Sequence, residues 1–598
     1  MRKFKWMFFG YLGAVALIVV AIAVSLALTP PRDPNAMYVA MLANIKTMDP
    51  AVLEDYDTDR MVGNIFECLY NYQFAKQPYT LIPQLAEGMP RYSKDGLTVT
   101  IHLKHGIHFY DPNKKVWPTG TGPEITADTI IYSWKRVCDF YLGETGNYAE
   151  VFQGKIVGID DWFNYTQSCP SAAAIDWDRP VAGLKALDRY TLQIKLTSPW
   201  PQVKYLLAYL PTCAVSRDAV NYYGEEIRSH PIGSGPYAME EYLPEQKFTL
   251  VANPIYRGGP NVESGTKLPA DQRMPHIQQV DYLYYPEDLP RWYIFREGLL
   301  DINDVPKDKF AEAIRLGTGE LTPQMHSDGV RLVKSPLPWS FYTCFNMSDP
   351  IVGRNKALRQ AMSMAYDRQK FIKIYLNGRG IASNGPIPPG FPTYDANRIN
   401  PYCVFNLPAA REKMKEAIRF NGGKPIPTLT LYEGDTTTTA VQMAQFFVSC
   451  MAQIGLNVNV QYATWARFQQ IVNGNEAQIF DFGWTADYPD EQDFWQLFYG
   501  KNTGYGGINS EDFKNAEFDA LYEKSSVLNE GPERAKLYAQ MQAIVLDECP
   551  CIFDYYPISY TLYYKWVGNV FGMNYGEGFL QDRTLDLAMR TEWLKQHG

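Results

Sequence analysis

The chain has 598 residues, which exceeds the size at which a single hydrophobic core stops growing, so several domains or lobes are expected. Apolar residues make up 46% of the sequence and charged residues 20%, which indicates a globular rather than a disordered protein. The net charge is −9, from 56 basic and 65 acidic residues. The sequence contains no long run of one sign, and we therefore expect no nucleic-acid partner.

A hydrophobic segment near the N-terminus predicts a membrane anchor. Residues 6–28 carry no charge, and a helix of this length spans the roughly 30 Å hydrocarbon layer. The cations before the segment place the N-terminus in the cytoplasm and the rest of the chain outside, tethered to the inner membrane. A cleavable signal peptide is the alternative, because Ser25 and Ala27 are small residues at a suitable spacing. Residues 1–35 are thus predicted to be an anchor or a signal segment.

Strand-like and helix-like patterns alternate through the first half of the chain. Alternating apolar and polar residues predict strands over 97–103 and 190–196. A threonine cap followed by an apolar stripe predicts a helix over 126–137. Residues 231–256 are typical of a glycine-rich bend followed by two strands.

The second half continues the same mixture. Residues 357–376 have the apolar periodicity of one amphipathic helix. Residues 428–464 predict a strand, a long helix and a second strand. Mixed strands and helices of this kind predict an α/β or α+β chain of two or three lobes.

The residues that usually mark metal or catalytic sites do not assemble into a signature. His102, His105 and His108 share one short stretch, but no cysteine or acid cluster completes a ligand set. Cys549 and Cys551 are separated by one residue, which is not the redox CxxC spacing. Nine cysteines allow at most four disulfides, and their spacing does not fix the pairing. With no nucleophile elbow, zinc-protease motif or dinucleotide fingerprint, we expect no enzyme, no cofactor and no metal site.

Residues 480–499, which we call the aromatic segment, contain eight aromatic side chains and five carboxylates without a lysine or arginine. Trp484 and Asp487 fall where a predicted strand meets a loop. A carboxylate beside large rings suits a desolvated cation, through a charge-assisted hydrogen bond and attraction to the ring face. The alternative is a buried strand end followed by a turn whose acids are merely solvated.

Nine motifs in order extend this interpretation to nearly the whole chain after the hydrophobic segment. They comprise residues 48–70, 82–109, 125–136, 181–196, 231–242, 299–306, 355–372, 384–390 and 483–490. In this order they resemble the extracellular solute-binding proteins of ABC importers in the peptide/nickel class, the oligopeptide- and dipeptide-binding proteins. The resemblance implies an α/β, two-lobed clamp like that of periplasmic binding proteins, with mixed sheets and a ligand between the lobes. It also implies a monomer whose partners are a peptide-like solute and ABC permease subunits in the membrane.

The same resemblance implies a layout of the lobes. The first lobe would comprise residues 36–335, with a subdomain at about 80–200. The second lobe would comprise 336–550, and residues 551–598 would return to the first lobe. Chain crossings near 336–342 and 549–556 would then be hinge strands that absorb the closing rotation.

The family's ligand-binding residues are carried over only where the motifs match. Asp487 matches an aspartate that binds the α-ammonium group of a peptide. Backbone groups near Gly483 and Thr485 would pair with the peptide main chain as with an added strand. Trp484 would form the wall of a side-chain pocket, and Glu67 matches a glutamate that faces the cleft in some members.

One departure from the family pattern bears on the ligand. Some peptide binders have an arginine three residues before the motif tryptophan, where it meets a ligand carboxylate, but this chain has Asp481. The change is compatible with longer peptides, amines or another cationic ligand. Relatives of the same fold bind nickel chelates or oligosaccharides. We expect capture of an oligopeptide or peptide-like solute for a permease, with a ligand sensor as the leading alternative.

Overall fold

The computed structural model describes residues 33–53, 56–73, 80–143, 152–257, 274–572 and 579–597. The predicted membrane segment 6–28 lies outside these ranges, as does most of the predicted anchor region 1–35. Within the described ranges, no helix is both long enough and apolar enough to cross a lipid bilayer.

The described residues form a mixed α/β structure. The strands are β1 Met37–Met41, β2 Tyr70–Tyr72, β3 Leu81–Pro83, β4 Arg91–Tyr92, β5 Thr98–His102, β6 His108–Tyr110, β7 Thr121–Glu124, β8 Leu184–Asp188, β9 Thr191–Lys195, β10 Tyr237–Leu243, β11 Lys247–Ala252, β12 Gln279–Tyr284, β13 Ile302–Asp304, β14 Val330–Pro336, β15 Trp339–Phe345, β16 Gly380–Ala382, β17 Leu429–Glu433, β18 Val458–Tyr462, β19 Ile479–Thr485, β20 Cys551–Tyr564, β21 Val567–Gly568 and β22 Thr584–Leu585. The helices are α1 Tyr56–Val62, α2 Ala127–Val137, α3 Phe140–Gly143, α4 Ile159–Ser168, α5 Val203–Leu206, α6 Arg217–Tyr223, α7 Asp288–Arg296, α8 Phe310–Ala313, α9 Pro323–Ser327, α10 Lys356–Ala365, α11 Arg368–Tyr375, α12 Leu407–Phe420, α13 Thr438–Ala452, α14 Trp465–Asn473, α15 Gln492–Trp495, α16 Ala516–Ser526, α17 Pro532–Glu548 and α18 Leu587–His597.

Two four-stranded sheets form the lobe that contains the beginning of the described chain. One has the order β1-β12-β11-β10, in which β1 and β12 are parallel. The other has the order β4-β5-β9-β8 and is antiparallel throughout. The strands predicted over 97–103 and 190–196 are β5 and β9, and the two strands predicted within 231–256 are β10 and β11. These four predictions are confirmed. We call this part the first lobe.

The second lobe contains β15, β17, β18 and β19. Its strand order continues as β20-β15-β19-β17-β18, and β17 pairs with β18 in parallel. Helix α13 connects those two strands, which confirms the strand–helix–strand unit predicted over 428–464. The predicted helix 126–137 is also confirmed as α2, which begins after Thr126.

The long strand β20 connects the two lobes. Its first residues pair with β15, where Cys551 lies opposite Cys344. Its last residues pair with β14, where Tyr564 lies opposite Val330. Strands β14 and β15 are separated by only two residues, so β20 pairs with two strands that follow each other closely in the chain.

The prediction of one continuous amphipathic helix over 357–376 is wrong. The structure contains two helices, α10 and α11, separated at Tyr366 and Asp367. The Asp367 side chain accepts a hydrogen bond from the Lys370 backbone amide at 3.0 Å. A local side-chain bond of this kind starts a new helix instead of continuing the previous one, because it occupies an amide at the helix N-terminus.

Among the described residues, three apolar clusters hold the fold together. One lies in the first lobe and includes Met37, Phe248 and Trp292. Another lies between the second-lobe sheet and its helices and includes Leu358. The largest joins residues of both lobes, for example Trp134 and Trp495. The core is therefore continuous across the region where the aromatic segment lies.

Candidate ligand-binding site

The aromatic segment begins with β19, a strand whose two edges are used differently. Along one edge β15 pairs with all of β19, from Phe345 opposite Ile479 to Trp339 opposite Thr485. Along the other edge β17 pairs only with Ile479 and Phe480. In the described part of the chain, no strand pairs with this second edge over residues 481–485. Unpaired backbone groups of this kind are a template for an added strand.

Gly483 is required by the packing of the paired edge. A Cβ atom added at this position would lie 2.9 Å from Phe341 Cδ1 of the neighbouring strand. Because real Cβ atoms do not approach other atoms so closely, any side chain there would displace the Phe341 ring. The absence of a side chain at Gly483 therefore leaves room for the Phe341 ring.

Asp493 organises the end of this strand. Trp484 Nε1 donates to Asp493 Oδ2 at 2.9 Å, and the Asp487 backbone amide donates to the same oxygen at 3.0 Å. The other oxygen accepts from Gln496 Nε2 at 2.9 Å. The Asp493 side chain is fully buried. It thereby fixes both the indole ring and the turn that carries Asp487.

The Asp487 carboxyl group is half-buried beside Asp493. Burial raises the pKa of Asp487 well above its usual value, and the neighbouring Asp493 raises this pKa further. Among the described residues, no cation contributes to lowering the pKa. A carboxylate placed in this way gains free energy when a positively charged group binds to it.

The following turn is held by a buried ion pair. Asp490 pairs with Arg534 of α17, and both side chains are almost completely buried. Tyr538 of the same helix also donates to Asp490, at 3.2 Å. Removing either partner would leave an uncompensated buried charge, which typically costs about 3–5 kcal/mol. Asp490 therefore has a structural role and is not available to a ligand.

A contact between the lobes borders the same segment. The ring of Tyr488 stacks on Tyr205 of α5, with centroids 6.0 Å apart and an angle of 11° between the planes. Tyr205 also donates to Glu530, which forms an ion pair with Lys204 at 2.6 Å. These four residues, Lys204, Tyr205, Tyr488 and Glu530, form what we call the interlobe contact.

Three further carboxylates lie side by side across the second-lobe sheet, and we call them the acid row. Glu433 is the residue of β17 that comes after the pair Tyr432–Phe480, and it therefore lies beside Asp481 of β19. Thr343 Oγ1 of β15 donates to Asp481 at 2.6 Å and lies 3.2 Å from Asp554 of β20. Burial raises the pKa of all three acids, and the pKa of Glu433 and of Asp554 is raised further by Asp481.

The acid row contains unsatisfied acceptors. Glu433 and Asp554 are 7% and 8% exposed, and Glu433 Oε1 and Asp554 Oδ1 have no hydrogen-bond partner among the described residues. Buried acceptors without donors are rare because they lose the hydrogen bonds that water provides. A cation at this row would supply the missing donors and favour the ionised acids.

Glu67 lies in a different environment from the other predicted site residues. Its side chain is 1% exposed, and its Oε2 accepts from Arg257 at 2.9 Å and from Ser234 at 2.8 Å. The carboxylate is thus already used within the protein. The structure places Gly483, Trp484, Thr485 and Asp487 together in one segment.

Sequence reasoning missed three participants in this site. Asp493 belongs to the aromatic segment, and its acidic side chain among large rings is the signal that could have identified it. Arg534 and Tyr205 are distant in sequence, and nothing in their local patterns indicates that they contact the segment.

Comparison with known proteins identifies relatives of similar length. Heme-binding protein A of Haemophilus influenzae is 25% identical over 498 residues, which cover 82% of this chain and 81% of that protein. Periplasmic oligopeptide-binding protein OppA of Salmonella typhimurium is 23% identical over 542 residues, which cover 89% of this chain and 88% of that protein.

The fold is similar to that of a solved structure. The ABC transporter-associated periplasmic binding protein DppA from Helicobacter pylori, in complex with peptide STSA, matches with a TM-score of 0.70 and 21% identity. The match covers 92% of this chain and 98% of that chain. It confirms the predicted two-lobed, mixed α/β fold.

A sequence family also matches most of the chain. The family described as bacterial extracellular solute-binding proteins, family 5 Middle, matches residues 80–506, which is more than half of the sequence. This match confirms the family resemblance that the motifs indicate. The chain therefore belongs to the bacterial extracellular solute-binding proteins of family 5.

Proposed function

We propose that this protein captures peptides or peptide-like solutes with a free ammonium group outside the cytoplasm and delivers them to an ABC permease. The observation that carries the proposal is the Asp487 carboxylate, which lies beside Asp493 without a compensating cation among the described residues. The relatives support a peptide ligand, because OppA of Salmonella typhimurium is a periplasmic oligopeptide-binding protein.

The ammonium group of the ligand would bind to Asp487. Both effects that raise the pKa of this acid, burial and the neighbouring Asp493, are offset by a positive charge. Trp484 would contact the first residue of the ligand, because its indole ring is fixed by Asp493 near the same turn. A charge-assisted hydrogen bond in such a site is about twice as strong as a neutral one.

The main chain of the ligand would pair with the open edge of β19. This mode uses backbone hydrogen bonds for affinity, so it tolerates different side chains. Residues 481–485 offer about 13 Å of strand at roughly 3.3 Å per residue, which matches about four extended ligand residues. Gly483 and Thr485 lie within this length.

The acid row would favour a positively charged side chain at the far end of that edge. Glu433 ends β17 at the place where the open edge begins, and Asp481 is its neighbour. A ligand that runs from Asp487 along the edge reaches these acids after about four residues. A lysine or arginine there would be attracted, whereas a free C-terminal carboxylate would be repelled by any ionised member of the row.

The interlobe contact would stabilise the closed form around the ligand. Tyr488 and Glu530 of the second lobe contact Tyr205 and Lys204 of the first lobe, next to the segment that carries Asp487. A ligand that contacts both lobes shifts the population toward closure, because only the closed form offers both sets of contacts. We further propose that the chain is a monomer anchored to the inner membrane through residues 6–28.

Other ligands and roles make different predictions. Heme, an oligosaccharide or a nickel chelate would not depend on the charge of Asp487 for an ammonium contact. A hydrolase would shorten added peptides, whereas a carrier returns them intact. A ligand sensor would bind the same peptides but would not support their uptake through a permease.

Native mass spectrometry can distinguish the ligand classes. The purified protein is incubated with a defined mixture of tri- to hexapeptides, with or without N-acetylation, and bound species are released by denaturation. We expect intact peptides with free amines in the wild type and a strong loss of them in Asp487→Asn. Asp308→Asn, an exposed first-lobe acid, serves as the matched control. Retention of acetylated peptides, or of heme alone, would contradict the proposal.

A further inference from the structure

A cluster of two thiols and a carboxylate lies behind the aromatic segment. Cys344 of β15 and Cys551 of β20 are direct partners in the strand register, and their sulfur atoms are 3.3 Å apart. Glu511 comes from the loop before α16. One ligand atom from each of the three residues lies within 4.8 Å of the others. The cluster shares none of its residues with the proposed ligand site.

All three side chains are removed from water. Cys344 and Cys551 are 1% exposed and Glu511 is 3% exposed. Glu511 Oε1 has no hydrogen-bond partner within the described residues. Burying a carboxyl oxygen without a donor is costly, and native proteins usually satisfy such groups. The unsatisfied oxygen therefore indicates a missing partner beside the two sulfurs.

We propose that Cys344, Cys551 and Glu511 bind one Zn²⁺ ion. Two thiolates and one carboxylate are ligands that zinc accepts in a tetrahedral site, with the fourth position left to water. Two sulfurs bound at about 2.3 Å in a tetrahedral site are about 3.8 Å apart. The observed separation needs to increase by only about half an ångström, which small side-chain rotations provide.

The charge balance favours a divalent ion. Binding displaces the two thiol protons and the carboxyl proton, so three negative ligands surround two positive charges and the site carries a net charge of −1. Without the metal, burial opposes ionisation of all three groups. The ion thus supplies the attraction that ionisation in this environment requires.

The zinc ion would connect three separate parts of the second lobe. Strands β15 and β20 both continue toward the first lobe, and the Glu511 loop follows the aromatic segment. The Glu511 carbonyl oxygen already accepts from the Met347 backbone amide at 2.7 Å, which holds this loop against the residues that follow β15. A metal bond at the Glu511 side chain would fix this loop to the end of the β15–β20 pair that lies away from β14.

A disulfide between the two cysteines is the alternative. It would require an extracytoplasmic dithiol oxidant to accept two electrons and two protons. It would also leave the Glu511 oxygen without a partner. The observations therefore favour a metal. Detection of a disulfide in the test below would reject the zinc proposal.

The test measures metal content in the full chain purified without chelators. We expect elemental mass spectrometry to find about one zinc ion per chain in the wild type. The zinc content should fall to background in Cys344→Ser, Cys551→Ser and Glu511→Gln. Cys169→Ser, a half-exposed cysteine elsewhere, should retain the metal. Removing the metal with a chelator should lower the melting temperature of the wild type but not that of the three variants.

A second measurement on the wild type is independent of whether the variants fold. The metal-free protein is reloaded with Co²⁺, and thiolate-to-cobalt charge-transfer absorption is expected. Absence of both native zinc and this absorption would overturn the proposal. So would peptide mapping that shows a disulfide between Cys344 and Cys551. Neither result depends on peptide binding, so the proposed transport function is tested separately.

Discussion

The backbone amide of Asp487 donates to Asp493 Oδ2 at 3.0 Å, which places two carboxylates side by side at the end of β19. Asp493 has its own donors in Trp484 and Gln496. Asp487 has the neighbouring negative charge instead, and its pKa is raised by burial and by Asp493. In the proposed function, Asp487 receives the ammonium group of the ligand, and Asp493 holds the turn that carries Asp487.

The affinity for a free-amine peptide should depend on pH. As the pH falls through the raised pKa of Asp487, the acid becomes protonated and loses its attraction for the ammonium group. At high pH, the ligand amine, with a usual pKa of about 7.7–8.0, loses its proton and affinity falls again. Calorimetry between pH 5 and 9 should show a maximum, with proton release on binding at the acidic side. A flat profile would count against an ion pair.

The acid row should confer a preference for basic peptides. We expect a tetra- or pentapeptide with lysine near position four to bind more tightly than the same peptide with norleucine. Asp481→Asn should reduce this preference, because it removes an ionisable acid while keeping an oxygen that can accept from Thr343. Glu476→Gln, an exposed acid in the loop before β19, is the control. If Asp481→Asn and the control variant prefer the lysine peptide over the norleucine peptide to the same extent, the acid row is not part of the ligand site.

The acid row should also make stability depend on pH. Burial raises the pKa of Asp554 in the folded protein above its unfolded value of about 3.9. The folded state then holds a proton that the unfolded state releases, so the free energy of unfolding is highest below pH 4 for this group and falls as the pH rises toward the folded pKa. One such group contributes up to about 1.4 kcal/mol per pH unit.

Asp554→Asn should reduce this dependence, because an amide resembles the protonated acid and does not titrate. Urea unfolding of wild type and variant at pH 5, 6 and 7 measures the slope. Identical slopes in the two proteins would show that Asp554 has the same pKa in both states.

The interlobe contact should contribute modestly to closure. Glu530 is half-exposed, and its pair with Lys204 is partly screened by solvent, so the charge is worth about 0.2–1 kcal/mol. Glu530→Gln should weaken peptide binding up to about fivefold and increase the radius of gyration of the unliganded protein in X-ray scattering. Glu533→Gln, an exposed neighbour on α17, should change neither quantity. An unchanged radius in both variants would argue against a role in closure.

Most secondary structure could be predicted from the sequence because its signals are local. Alternation over 97–103 and the threonine before α2 each depend on a few adjacent residues. The single helix predicted over 357–376 was wrong because its apolar periodicity continues through Tyr366, while Asp367 starts a new helix through its own side chain.

The site was only partly predictable. The aromatic segment is recognisable because acids and rings are concentrated within it, and Asp487 and Trp484 both belong to it. The partners of this segment come from α5 and α17, and such contacts depend on how the lobes pack. The hydrogen bond from Arg257 to Glu67 likewise joins residues that are 190 positions apart in the sequence. The predicted lobe boundaries and the ligand-binding roles stay predictions.

The most direct test of the central claim combines one substitution with one change in the ligand. Calorimetry compares wild type and Asp487→Asn, each with a tetrapeptide bearing a free amine and with its N-acetylated form. We predict that the substitution weakens binding of the free amine by about 2–5 kcal/mol, because the ammonium then loses its buried partner. The acetylated peptide should bind both proteins weakly and equally. Unchanged affinity of the free amine for Asp487→Asn would contradict the account.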